Sequence, residues 1–420
     1  MEFKNTDELR VFDGAIGTEV QKRAPNADEN LTELLNISNP DVIRGIHLDY
    51  LQAGAEALTT NTFSANRIRL RASGHGEESQ RLNREGARLA REAISSFSGG
   101  DTENLFIAGS IGPTGETLVP LGDYTFEQFY RAFLEQAKAL KEGGVDWLIL
   151  ETMESLKEAK AALRAAREVG LPTISSMSYG ERGRTSYGVV PEAGAVTLDQ
   201  LGADVLGMNC GTGPRYYPET IETYREFTDK PLLAEANAGD PVLKDGKAVY
   251  ELSPRQYLQD IKPGLEFLEA VGSCCGSDPA FTRVLSEVAS EHGRATVSRE
   301  ESEEKYLSNN ATVVPTSEVE GFQEVEVSPE SIRELKSKLD GDLPALISFT
   351  EEVRDPDGLE RDLSRALLQL RSGKPVGLST GSPEALRAFL RAYPGIAPVR
   401  VEGSHGELKS IADKYGGILV

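Results

Sequence analysis

Short apolar, β-branched runs alternate with longer stretches of helical periodicity along residues 1–290. The runs fall at 11–14, 55–63, 105–111, 145–152, 172–179, 203–210, 231–239 and 267–276. Helical patterns lie between them, among others at 125–143, 155–169 and 218–228, and a further one follows at 278–292. Strands separated by helical patterns of about ten or more residues predict βαβ units and a parallel sheet. Eight such units predict an α/β fold of the (β/α)8 TIM-barrel kind over 1–292. A doubly wound sheet is the alternative, and it would carry a Gly-rich phosphate loop after its first strand. The stretch GAIGTE after Asp13 matches that loop poorly.

From 293 to 327 the rhythm breaks. The segment is charged and has little apolar periodicity, and it reads as a linker with one short strand at 312–315. Residues 328–420 then resume an α/β pattern, with strands at 343–349 and 376–379, helices at 359–371 and 382–392, and a closing IADKYGGILV. A Ser-Pro pair at 328–329 suits the cap and first position of a helix. The length fits this division: 420 residues exceed one ordinary domain but accommodate a barrel of about 250 residues and a smaller module.

Charge narrows the partners. With 67 acidic against 45 basic residues the formal charge is −22. That speaks against nucleic acid, whose phosphates need basic patches, and against anionic membrane surfaces. No stretch resembles a signal peptide or a membrane span, so a cytoplasmic location is expected. The three cysteines are too few and odd in number for a disulfide framework. In a reducing compartment such residues point to metal binding or catalysis.

The chemistry gathers where the predicted strands end. These ends read FDG, TTNTF, GSIGPTGE, ETME, MSYGERG, GMNCGTG, AEANAG and GSCCGSD. In a barrel of this type the C-terminal strand ends form the active face. Cys210 ends the sixth run, and Cys274 and Cys275 end the eighth. Only one strand separates those two, so the three thiols can converge. Adjacent Cys274 and Cys275 are poorly placed to bond each other, while the flanking Gly272 and Gly276 allow the turn that lets both reach one ion. Three thiolates with a fourth position open is a catalytic arrangement for zinc, and thiolates select it over magnesium or calcium. A substrate thiol entering the fourth position would lose its proton. Three cysteine thiolates keep its sulfur electron-rich, which suits attack on a methyl group.

The motifs DGAIGTEV, TTNTFSANR, AGSIGPTGE, LILETMES, GMNCGTGP, ANAG and GSCCGSDP resemble the homocysteine S-methyltransferase family, in order and over residues 8–290. The resemblance implies a (β/α)8 barrel, zinc on Cys210, Cys274 and Cys275, and methyl transfer to homocysteine to give methionine. It also implies that Asp13, Thr60 and Glu151 line the amino-acid pocket, and that backbone amides of the turn at Gly14 meet the substrate carboxylate. Asn209 and Asn237 would support the site. An α-ammonium does need carboxylates such as Asp13 and Glu151 at strand ends. Helix capping for Asp13 and a first-turn acid for Glu151 are the plainer roles. Two positions depart from the family pattern: Ser273 stands for the usual Gly before the cysteine pair, and Ser277 for a Thr after it.

Family members take the methyl group from betaine, S-methylmethionine or methylcobalamin carried on a protein. The stretch IAGSIGPTGETLVPLGDYTFEQFYRAF looks most like the barrel of the cobalamin-dependent methionine synthases. The tail is similar to part of a pterin-binding barrel, but Ser379 or Thr380 stands where the pterin-binding Asp belongs and the expected Asn is missing near Val401. It reads as a degenerate or truncated module that could dock a corrinoid protein partner. A second reading, of another class, makes the chain a non-catalytic zinc-binding scaffold for such a partner, and a third makes it an unrelated barrel enzyme with a different acceptor.

Overall fold

The computed structural model describes residues 9–28, 31–100, 102–240, 242–244, 247–292, 304–339, 343–370, 373–403 and 405–420. The strands of the first domain are β1 (Arg10–Val11), β2 (Ala57–Thr59), β3 (Phe106–Ile111), β4 (Trp147–Met153), β5 (Thr173–Met177), β6 (Val205–Asn209), β7 (Leu232–Ala236), β8 (Val242–Lys244), β9 (Lys247–Val249) and β10 (Ala270–Ser273). Eight of them form one parallel sheet in the order β1-β10-β7-β6-β5-β4-β3-β2. A parallel bridge from Phe12 to Ala57 joins the two ends of that order, giving the expected TIM barrel. β8 and β9 form a separate antiparallel hairpin, which the apolar pattern did not announce.

The helices between strands carry their own start and stop signals. Phe126–Gly143 begins with a capping box, Thr125 with Gln128, and ends at Gly144 in the left-handed region at φ 89°. Leu156–Val169 is capped by the Ser155 side chain and ends at Gly170, φ 73°. Pro254–Ile261 repeats the capping box with Ser253 and Gln256. Their apolar faces pack around the outside of the ring.

Inside the ring is a separate apolar plug, made by Phe12, Ala57, Phe106, Ala108, Trp147, Ile149, Ile174, Val205, Leu233 and Ala270. Strand side chains alternate between faces. Two residues beyond Ala108, Ile149 and Leu233, the same inward face therefore carries Ser110, Glu151 and Glu235, and four beyond Val205 it carries Asn209. A polar layer thus sits on an apolar floor, on the side where the strands end.

The remaining strands are β11 (Tyr306–Ser308), β12 (Val313–Pro315), β13 (Gln323–Val327), β14 (Ala345–Phe349), β15 (Val376–Thr380), β16 (Ala397–Val401) and β17 (Gly417–Leu419). β13 to β17 form a five-stranded parallel sheet in sequential order. β11 and β12 pair as a hairpin. The segment read as a linker is therefore structured over its described part, 304–327, and supplies this hairpin and the first strand of the small sheet; 293–303 lie outside the described residues. Helices Pro356–Gln369, Pro383–Ala392 and His405–Tyr415 complete the module.

The module is seated on the barrel. Lys160 Nζ, buried, donates to the carbonyls of Leu390 (3.1 Å), Tyr393 (2.9 Å) and Gly395 (3.1 Å). Arg391 pairs with Glu127 at 2.8 Å, Phe126 and Tyr415 pack ring to ring, and the Arg164 guanidinium lies over Tyr130 and Tyr415. One continuous apolar core runs through both parts. Among the described residues no helix is long and apolar enough to cross a membrane.

Candidate metal centre and substrate pocket

The three cysteines meet. Cys210 follows β6, and Cys274 and Cys275 follow β10, and their sulfurs all lie within 4.8 Å of one another. Cys210 Sγ and Cys275 Sγ are 3.9 Å apart. Two sulfurs bound at about 2.3 Å in a tetrahedron lie about 3.8 Å apart, so the donor set fits a tetrahedral thiophilic ion. All three remain partly exposed, which leaves room for a further ligand.

Backbone geometry fixes the cluster. Cys210 is held at φ 58°, a conformation that non-glycine residues seldom adopt. Its N–H donates to Glu235 O at 3.0 Å, and its carbonyl accepts from the Tyr217 hydroxyl at 2.8 Å. Cys274 N–H donates to Ala236 O at 2.7 Å, and Cys275 O accepts from Ala238 N–H at 2.9 Å. Gly276 takes φ 82° directly under the Tyr250 ring, so close that a Cβ there would collide with it. Hydrogen bonds from Cys210 and Cys274, helped by the Tyr250 hydroxyl, pull Cys275 well below its ordinary range. Those same contacts with its two neighbours, with burial added, hold Cys274 well above its ordinary range.

The acids lie beneath. Asp13 is 1% exposed and accepts from Thr59 N–H at 2.8 Å; burial pushes it up to about 8. It caps no helix, since the following one, Ile16–Arg23, starts from Ala15. Glu151 is partly open to the mouth, yet enough protein surrounds its carboxyl for desolvation to raise it to about 7. It accepts from Ser110 Oγ and from Asn209 Nδ2 at 3.2 Å. Asn209 also donates to Thr152 Oγ1 (2.8 Å) and accepts from Thr152 N–H (2.7 Å) and Ser176 Oγ (2.9 Å). Every polar atom of Asn209 is thus spent on orienting Glu151 and the Thr152 backbone, which itself sits at φ 59°.

Gly14 and Ala15 form a tight turn under the cysteine loop. Ala15 N–H donates to Ser277 Oγ at 3.1 Å. A Cβ on Gly14 would come within 2.8 Å of Ser277 Oγ and 3.0 Å of Ser273 Oγ. The two positions that depart from the family pattern therefore both face this turn, and Ser273 Oγ is buried without a hydrogen-bond partner. Asn237 is buried with Oδ1 unpaired, an acceptor available to a ligand. Thr60 is placed differently: its hydroxyl is engaged with Thr62 Oγ1 at 2.6 Å and with Ser110 N–H at 2.9 Å, so it braces the β2 and β3 ends.

Two residues of the site escaped the sequence reading. Glu235 is buried in the polar layer, and its carboxyl is held well above its ordinary range by burial and then by Glu151 and Asp13. Its signal was there, since Leu233, Glu235 and Asn237 share one face of a strand. Tyr250 reaches the cysteines because the β8–β9 hairpin ends just before it, and nothing local in the sequence signals that fold-back.

The family model described as homocysteine S-methyltransferase matches residues 10–289. The chain is 31% identical over 320 residues to the methionine synthase of Mycobacterium tuberculosis, covering 73% of this chain and 26% of that protein. It is 30% identical over 323 residues to the methionine synthase of Mycobacterium leprae, covering 73% and 27%. The chain thus matches about a quarter of the length of these curated relatives. Among solved structures, the metallated form of the homocysteine methyltransferase MmuM from Escherichia coli shares the barrel, with a TM-score of 0.57 and 23% identity over 67% of this chain and 96% of that one.

Proposed function

Since the chain belongs to the homocysteine S-methyltransferase family, we propose that its barrel binds zinc through Cys210, Cys274 and Cys275 and transfers a methyl group to the thiol of homocysteine, giving methionine. The observation that carries this reading is the convergence of the three sulfurs, partly open, directly above a layer of buried carboxyls. Zinc in that set would supply Lewis acidity that lets a thiol reach the anionic state at neutral pH.

The chain's own residues do the rest. Glu151, poised at about 7, pairs with the substrate α-ammonium and ionises as it does so. Asn209 fixes the direction of that carboxylate. Asp13 adds a second acidic group, and the amides of the Gly14 turn face the substrate carboxylate. Held at both ends, the amino acid presents its sulfur to the donor methyl in line, so that catalysis comes from nucleophile activation and positioning. Burial, with Glu151 and Asp13 beside it, holds the Glu235 carboxyl of the same layer well above its ordinary range, which limits the negative charge gathered there.

The likeness to the methionine synthases of two mycobacteria favours methylcobalamin on a partner protein as the donor, with S-methylmethionine and betaine as the competing donors. The module over 328–420 would then serve as the dock for that partner, as a degenerate pterin-binding segment. Methyl transfer to homocysteine by the purified chain, supplied in turn with each donor, tests the proposal. Methionine formed from one of them supports it. No methionine from any, with tight binding of a corrinoid protein, would make the chain a scaffold.

A further inference from the structure

A cavity of about 480 Å³ opens where the module meets the barrel. Its barrel side is formed by residues that follow β3, β4 and β5, at the strand ends of the catalytic face, and its other side by the module. Leu118, Leu121, Phe129, Leu367, Leu368 and Leu370 are among the residues of its apolar wall. Leu121 is 64% exposed and Leu368 56%, and Tyr187, also among the exposed large apolar side chains, stands beside them. Exposed apolar groups scattered singly need no explanation, but a cluster around a concavity marks a binding site.

The lining carries two lysines, Lys157 and Lys374, and two acids, Glu116 and Glu158, and the charge of Glu360 acts favourably on Lys157. Lys157 Nζ donates to Val119 O at 2.9 Å and to Ser364 Oγ at 3.0 Å, both from residues of the wall. An ammonium has three donors, and the third has no hydrogen-bond partner among the described residues. Lys374 lies on the module side of the same wall. Of the two acids, Glu116 is exposed at the rim, and Glu158 is turned to the Thr114 N–H and hydroxyl, both at 2.8 Å. Asn310 Oδ1, also in the wall, is buried without a partner.

We propose that this cavity is a second ligand site, separate from the cysteine centre, for a small amphipathic anion whose apolar body lies on the leucine wall and whose acidic group docks on Lys157. The size suits a molecule of two or three fused or linked rings, since ligand pockets run from about 300 to 1,000 Å³. Burial lowers the Lys157 amine only to about 8, so it is still mostly cationic at neutral pH. The site depends on the module, because one wall is made by it, and the homocysteine S-methyltransferase match ends before the module begins, at residue 289. A ligand here would press on the loop that leads from Ser110, the partner of Glu151, to Leu121.

The test is direct binding to the full chain, which does not depend on methyl transfer. The probe is 1-anilinonaphthalene-8-sulfonate, with uncharged N-phenyl-1-naphthylamine as its control, both followed by fluorescence titration. The expected result is saturable binding of one sulfonate probe per chain, with the uncharged probe weaker. Lys157→Met should weaken the sulfonate by about tenfold, the scale of one charged hydrogen bond, and leave the uncharged probe within about twofold. Leu368→Asp, at a largely exposed position, should weaken both probes. Absence of saturable binding, or sulfonate binding that neither substitution changes, would overturn the proposal.

Discussion

The barrel and the module after it are built by one rule, a parallel strand followed by a helix, but they end their strands differently. Barrel strands carry Glu151, Asn209 and Glu235 at or near their ends and the cysteines just beyond them, all over one apolar floor. Module strands β14, β15 and β16 end in Phe349, Thr380 and Val401. Ser379 Oγ spends its hydrogen bond on Glu402, and Thr380 Oγ1 on the Ser382 N–H. Closure explains much of the contrast. A ring of eight strands points eight ends at one spot, whereas five strands in an open row spread theirs along an edge. The fold permits chemistry in both places, and only the closed one concentrates it.

Removing a cysteine should sharpen this contrast most. Cys275→Ala is expected to lose bound zinc and to bring methyl transfer down to background, whereas Ser379→Ala in the module should stay within about twofold, on the scale of a surface change. Elemental analysis and turnover measured on the same samples check this, and a Cys275→Ala protein with full turnover would break the comparison. The next effect belongs to Glu151. Glu151→Gln removes a charged partner of the α-ammonium and should weaken methionine binding by about 10- to 100-fold, read by calorimetry, with zinc content unchanged.

The barrel buries ionisable groups both in its pocket and at its seam with the module, with opposite consequences for stability. Asp13 and Glu151 have folded values raised to about 8 and about 7. The unfolded chain binds fewer protons at these sites above about pH 4, so they lower stability as pH rises through 4 to 8. Lys160 is lowered by burial to about 7. The unfolded chain holds that proton up to about 10, so its contribution rises with pH through 7 to 10. Melting of the ligand-free protein across pH 5–9 should therefore show a falling acid limb that Glu151→Gln flattens. Lys160→Met, which strands three carbonyls, should cost about 1–3 kcal/mol and leave zinc content intact. If it released the metal, the two regions would not be independent. The smallest effect expected is on affinity. Methionine, which has no thiol to titrate, should bind a few-fold more tightly at pH 8 than at pH 6, because Glu151 must ionise to pair with its ammonium.

The sequence made the barrel and the convergence of its three cysteines legible for a simple reason. All three cysteines sit where strands end, and strand ends in a closed barrel converge. Asp13, Glu151 and Asn209 were legible for the same reason, though the work Asn209 does in orienting Glu151 needed coordinates. Glu235 was hidden because a glutamate in a short apolar run looks solvent-facing until β7 is known to be flanked by β6 and β10. Tyr250 was hidden because a hairpin far from any cysteine in the chain carries it back over them. The strand Gln323–Val327 was taken into a linker because two of its five residues are charged. Glu324 and Glu326 face water, and Val325 and Val327 face the module's core, which is the alternation of an edge strand with one wet face.

The central claim is that Cys210, Cys274 and Cys275 hold zinc with a place left for the substrate sulfur. X-ray absorption at the zinc edge, on the purified chain with and without homocysteine, tests it most directly. The account predicts one zinc per chain with three sulfur neighbours, rising to four when homocysteine is added. No zinc under reducing conditions, or a sulfur count that homocysteine does not change, would contradict it.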